Sequence, residues 1–430
     1  MQDLTPFIVG LLLTLVSSWI LADDLPRARP DQVGLSSVRL ARLDKVMQTY
    51  VDEDRLAGVV TLIARHGKIA HLSAVGKMDL ESGDAMKTDS LFRLHSMTKP
   101  ITSVALLMLY EEGLFQLTDT VESHIPVFKD LKVYDGVNDK GEMVLMDQKR
   151  KMTIHDIFRH TAGLGYGWGD TPVDEAYRKA GIESSPLIKL NALVNILGTL
   201  PLLYQPGERW VYSYAHDVQA YLVEQFSGMA FDEFLQKRLF EPLGMADTSF
   251  GLPQEKMDRL TTLYGPLDNQ DVIAINTVPE PGIAPLEKPA TSEYLKHGDY
   301  PAGGTGLVST AEDYFRFAQM LLDGGKYNDT QILSPKTVEL MTLNHIPSDL
   351  WQSQPFGGGG YGLGVSVRPE QATIDIIGSA GQFGWAGAAT TYVIIDPIEN
   401  MVSIMLIQYK PLIVPLFNQF QTLVYQAIID

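Results

Sequence analysis

Ser96 begins the one Ser-x-x-Lys of the chain, Ser96-Met97-Thr98-Lys99. The residues after it, Ile101, Val104, Leu107 and Met108, recur at helical spacing as far as Gly113, which sets a hydroxyl at a helix N-terminus with an amine one turn above it. Residues three apart share a helix face, so Lys99 reaches the Ser96 hydroxyl, and the dipole and free N–H groups there favour developing negative charge. This is the arrangement of an activated nucleophile. By itself the pattern arises by chance about once in a chain with this many Ser and Lys residues, and Ser is also a favoured N-cap.

The elements around it have to place that serine. Pro100 costs little in a first helical turn, where the missing N–H had no partner, so a helix start at Ser96 is consistent with it. Upstream, Ala57–Ala64 and Lys68–Val75 flank His66-Gly67 and read as two strands joined by a tight turn. They are preceded by a helix from Ser36 to Tyr50, marked by Leu40, Leu43, Val46, Met47 and Tyr50. From Gly113 to about Tyr300 the pattern is helices and long loops: Ile154–Arg159, Leu187–Leu197, Asp217–Phe226 and Phe231–Phe240. After Gly303 come a helix at Thr310–Leu322, strand-like runs at Tyr361–Val367, Ala388–Ile395 and Met401–Gln408, and a last helix near Leu416–Ile428. Strands at both ends with helices between point to one sheet assembled from both termini, with a helical insert.

A chain of 430 residues can bury a large core, in two domains or in one interrupted by an insertion. A formal net charge of −18 argues against nucleic acid or an anionic membrane surface as a partner. The absence of cysteine excludes disulfides, thiolate metal sites and cysteine nucleophiles. Phe7 to Ala22 is an apolar run too short to span a bilayer, ending in Ile-Leu-Ala before Asp23-Asp24. It reads as a signal-peptide core over residues 1–22, hence export to a periplasm or outside, although Met-Gln-Asp ahead of it carries no Lys or Arg. The alternatives are an uncleaved anchor or a cytoplasmic protein with a buried N-terminal helix. After processing no stable membrane span is expected.

Other motifs fall away. Gly357–Gly362 satisfies G-x-G-x-x-G, but a strand-like Val365–Arg368 follows where a phosphate-binding helix is required. No G-x-S-x-G or H-E-x-x-H occurs, and none of the nine His residues forms a ligand pair, so neither a metal nor a cofactor is expected. His95 reads as structural. His216-Asp217 invites a Ser/His/Asp triad, but the two read as the opening of a helix.

Two further segments raise the Ser-x-x-Lys above chance. Pro206–Tyr214 is a turn that delivers Tyr212 just before a helix. Gly384-Trp385-Ala386-Gly387-Ala388 opens the strand toward Tyr392–Asp396 with small residues that let a substrate carbonyl approach the backbone. With these three in order, the chain resembles the serine β-lactamase and penicillin-binding-protein superfamily, and within it the class C β-lactamase-like carboxylesterases, the family VIII esterases. The likeness runs from about Arg29 to the C-terminus. It includes Leu94–Pro100, Thr153–Leu164, Tyr212-Ser213, Glu241–Met245 and Gly303–Leu307.

The resemblance implies an α+β fold, an α/β sandwich with an antiparallel sheet flanked by helices from residues 30–105 and 300–430, and a mostly helical inserted domain at 106–299. It implies Ser96 as nucleophile, Lys99 as its proton acceptor, Tyr212 as companion acid/base, and the N–H groups of Ser96 and Ala388 as oxyanion donors. Trp385-Ala386-Gly387 stands where β-lactamases carry Lys-Thr-Gly, and Tyr214 replaces their usual Asn. Both departures favour short-chain neutral esters, small-molecule substrates, over penicillins. The alternatives are a class C-like β-lactamase or D-amino-acid peptidase/amidase, and a non-catalytic binding or assembly module. Lys99 is expected partly neutral, or Tyr212 partly ionised. Oligomeric state is not legible.

Overall fold

The computed structural model describes residues 25–182, 189–268, 272, 274–292, 301–347, 350, 359–370 and 376–430. The apolar segment within residues 1–22, and Gly357 and Gly358 of the glycine run, lie outside the described residues.

Helix α1 (Ser37–Asp52) starts where Ser36 accepts a hydrogen bond from the Arg39 N–H, and buries Leu40, Leu43, Met47 and Tyr50 along one stripe. It leads into a hairpin of β1 (Gly58–Arg65) and β2 (Lys68–Gly76). His66 and Gly67 both sit at positive φ, 53° and 71°, which suits the right-handed twist of a two-residue turn. The C-terminal part of the chain supplies β3 (Gly360–Tyr361), β4 (Ser366–Val367), β5 (Phe383–Gly387), β6 (Thr391–Asp396) and β7 (Met401–Ile407). All seven form one antiparallel sheet in the order β3-β4-β5-β6-β7-β1-β2. Its seam joins the two ends of the chain, Val59 opposite Ile407 and Leu62 opposite Ile404.

Alternation along β1 and β7 sorts their side chains to two faces. Val59, Ile63, Met405 and Ile407 pack with α1 and with α5 (Val414–Tyr425) through Leu416, Phe420 and Val424. Val60, Leu62, Ile404 and Leu406 pack on the opposite side, toward α2 (Thr98–Glu111) and α4 (Ala311–Leu322). Both faces are therefore covered. The middle of the chain combines short helices with two-stranded sheets, Val133–Val137 with Met143–Met146 and Leu263–Pro266 with Ile283–Glu287, and α2, buried from Thr98 through Leu109, packs against α3 (Ala215–Ser227). A helix buried on every side belongs at the centre of a large core, which explains its near-continuous apolar run after Lys99.

Two strand-like runs are interrupted. Ala388–Ile395 is not one strand: β5 ends at Gly387, the chain reverses through Ala388, Ala389 and Thr390, and β6 starts at Thr391. Thr390 takes φ 60° in that turn and donates its hydroxyl to the Tyr409 carbonyl. Tyr361–Val367 likewise divides into β3 and β4 about Gly364, at φ 88°.

Candidate active site

Ser96 lies in a single turn of tighter helix, His95–Met97, directly ahead of α2. His95 before it adopts φ 47°, an unfavourable conformation for a side chain of this size, and such outliers gather at functional turns. Neither Leu94 nor Met97, the residues flanking the two helical starts, caps through its side chain. The Ser96 hydroxyl accepts from Lys99 Nζ at 3.3 Å and remains partly accessible. It engages the amine one turn on, as the spacing requires, and is not spent as a cap.

Lys99 is 1% exposed. Its Nζ donates to the Gly304 carbonyl at 2.7 Å and stands 4.4 Å from the centre of the Tyr212 ring. Burial disfavours the ammonium and pulls the Lys99 pKa down to about 7, while the Asp217 carboxylate pushes the other way. Tyr212 moves oppositely. Burial raises its pKa, and the Ser96 hydroxyl and Trp385 indole recover only part of that shift. Of the two expectations for neutral pH, the partly neutral lysine agrees with this electrostatic balance and the ionised tyrosine does not.

Trp385 lies in β5, 5% exposed, with Nε1–H donating to the Tyr212 oxygen at 3.4 Å. Its ring meets Tyr361 edge-on at 5.3 Å and Tyr212 at 5.8 Å. It is thus a wall that holds the phenol, more than an open surface for acyl groups. Gly387 closes the strand against the serine turn: a Cβ there would fall 2.2 Å from the Leu94 carbonyl, which only glycine tolerates. Thr391 Oγ1 donates to that same carbonyl at 3.2 Å. Ala388 follows in the turn, partly exposed like Ala386. Tyr214 is 7% exposed and packs on Tyr166 at 4.4 Å. Arg209, by contrast, is on the surface, its guanidinium 4.3 Å above the Tyr204 ring.

His95, His160 and His216 are all held well below the usual imidazole pKa, first by burial. His216 makes no triad among the described residues, where neither of its ring nitrogens has a hydrogen-bond partner. Its neighbour Asp217 matters more. Asp217 Oδ1 accepts the Gly304 N–H at 3.3 Å, and a Cβ on Gly304 would lie 2.9 Å from Asp217 Oδ2, 3.0 Å from the Tyr166 hydroxyl and 3.3 Å from Lys99 Nζ. Three side chains therefore converge on one glycine, and the buried carboxylate faces the buried amine across it. Sequence reading sets Asp217 aside together with the triad, and Tyr166 and Trp168 escape it. The glycines of Gly303–Leu307 were the only signal, since a backbone approached this closely from three sides excludes a side chain.

The arrangement sets a hydroxyl beside a buried amine whose pKa is lowered to about 7 and a phenol whose pKa burial raises. Among the described residues no group of three His, Cys, Asp or Glu could hold a metal ion. Residues 43–420 match the Beta-lactamase family. Protein Rv1367c of Mycobacterium tuberculosis is 32% identical over 372 residues, covering 84% of this chain and 88% of its own. Esterase EstB of Burkholderia gladioli is 33% identical over 296 residues, covering 67% and 71%. The solved structure of EstCE1, described as a hydrolase with promiscuous acyltransferase activity, superposes with a TM-score of 0.74 at 27% identity and covers 90% of this chain and 99% of that one.

Proposed function

The chain belongs to the β-lactamase family, whose fold serves hydrolases with esterases among this chain's relatives, and from that premise we propose a serine carboxylesterase that acts on short-chain neutral esters through a Ser96 acyl-enzyme. The observation that carries this reading is the buried Lys99 amine, 3.3 Å from the Ser96 hydroxyl with its pKa near 7. A base must be unprotonated at working pH to accept a proton, and burial brings a fraction of this amine to that state near neutral pH.

Lys99 takes the Ser96 proton as the oxygen attacks the ester carbonyl. The N–H groups of Ser96 and Ala388 receive the oxyanion. Tyr212, kept protonated by burial, hands its proton to the departing alkoxide and recovers one from the Lys99 ammonium, so the alcohol leaves neutral. Water then gives a proton to the same pair, attacks the acyl carbonyl and releases the acid, and Ser96 is reprotonated. Substrate charge is decided at Trp385. A buried carboxylate without a cation carries a penalty of several kcal/mol, and the indole supplies none, which disfavours penicillins and peptide C-termini.

Hydrolysis of p-nitrophenyl acetate and butyrate beside a chromogenic cephalosporin tests the reading. The butyrate kcat/KM should exceed that of the cephalosporin by several powers of ten. Ser96→Ala should abolish turnover and fluorophosphonate labelling, and Lys99→Ala and Tyr212→Phe should each lose about 10²–10⁴ in rate with the fold intact. Labelling that persists without Ser96, or a cephalosporin rate equal to the ester rate, overturns it.

A further inference from the structure

Trp168 is 46% exposed, whereas every other tryptophan and phenylalanine among the described residues is buried or half-buried. Leaving so large an apolar ring in water forgoes the burial its neighbours achieve. Its position gives that exposure a meaning. The indole stacks on Tyr166 with ring centres 4.5 Å apart and planes at 19°, and it lies 6.0 Å from the Tyr212 ring. Tyr166 in turn lies 5.4 Å from Tyr212 and brings its hydroxyl toward Gly304 and Lys99.

The loop that carries this ring is held firmly. Arg178 Nη1 donates to the carbonyls of Gly167 and Gly169, at 2.5 and 2.7 Å, and so grips the backbone on both sides of Trp168. Gly167 takes φ 83° with a Cβ position 2.9 Å from Tyr177, and Thr171 and Asp174 cap the following helix Pro172–Lys179 reciprocally. A half-exposed indole on a clamped loop beside the Tyr212 phenol is a prepared surface.

We infer that Trp168 and Tyr166 form a stacking shelf for a planar aromatic ring in the alcohol portion of the ester, an inference that rests on the esterase reading above. The side is set by Tyr212. That phenol protonates the leaving oxygen, so whatever is bonded to the oxygen extends past Tyr212 toward Trp168, while the acyl carbonyl points to Ser96 and the Ala388 turn. The flat indole selects a flat partner, because offset stacking needs two planes within a few ångströms, whereas a saturated chain gains only contact area. The preferred substrates are esters of uncharged benzyl-type or naphthylmethyl-type alcohols.

Butyrate esters of naphthalen-2-ylmethanol, cyclohexylmethanol and choline share one acyl group and differ in the alcohol. The naphthylmethyl ester should be preferred over the cyclohexylmethyl ester by about tenfold in kcat/KM, a ratio that Trp168→Ala collapses and Trp168→Phe largely keeps. Binding of free naphthalen-2-ylmethanol to Ser96→Ala protein, measured by calorimetry, gives a readout that needs no turnover and separates this inference from the catalytic one. It should weaken about tenfold when Trp168→Ala is added, because one stacked ring pair is lost. Equal loss of both ester activities in Trp168→Ala, or unchanged binding of the alcohol, overturns the shelf. So does a preference for the choline ester, which would make the indole a cation site instead.

Discussion

The seam of the sheet and the cleft beside it are built on opposite terms. Where β1 meets β7, Val60, Leu62, Ile404 and Leu406 are fully buried aliphatic side chains paired across the ladder. Beneath the cleft, Trp210, Tyr361, His160 and His216 each bury a polar atom that has no hydrogen-bond partner among the described residues, and their rings crowd within 6 Å of one another or of Tyr212. The sheet stores stability, and the cleft gives some of it up to hold a buried amine near neutrality. Substitutions in the two regions should therefore separate stability from chemistry.

The largest effect on stability belongs to the seam. Ile404→Ala leaves a cavity between Leu62 and Val393 and should cost about 2–5 kcal/mol by denaturant unfolding, with kcat of the folded protein unchanged. A comparable fall in kcat would erase the contrast. Asp217→Asn acts on chemistry with little change in shape. Because the carboxylate raises the Lys99 pKa, its removal lowers it further, so the acid limb of the kcat/KM profile, near pH 7 in the native enzyme, should move to lower pH. A uniform loss of rate at every pH would reduce Asp217 to a structural support. The smallest effect reverses the usual sign: His216→Leu removes two orphaned ring nitrogens and should raise stability by about 1 kcal/mol, read as a higher midpoint in urea. A destabilised variant would mean that those nitrogens are satisfied in solution.

Local pattern made the helix of Leu40, Leu43, Met47 and Tyr50 legible, and the His66-Gly67 turn gave away the first hairpin. The serine, lysine and tyrosine were legible for a related reason, since each sits at the start of a helix or just ahead of one. The reversal at Ala388 was not, because Ala-Ala-Thr carries no turn chemistry, and Thr390 is held there by the distant Tyr409 carbonyl. Asp217 was read as a first-turn acid, which it also is. That its carboxylate faces Lys99 depends on α2 packing against α3, and no spacing along one chain reveals it. Trp168 sits in a glycine-rich loop without periodicity, so nothing in sequence distinguished it from any surface aromatic.

The seam also sets an order of events. β1 is synthesised near the beginning of the chain, but it finds β7 only after almost all the rest has been made, so the sheet is a late, long-range closure while the helices of the middle segment can form from local contacts. β5 and the Ala388 turn arrive in that same last stretch, carrying the wall behind Tyr212 and one of the two oxyanion donors proposed here. A nascent chain that has already exposed Ser96 therefore lacks part of the surroundings that the proposed chemistry requires. Chemical competence arrives with the final strands, at the step that also makes the fold whole.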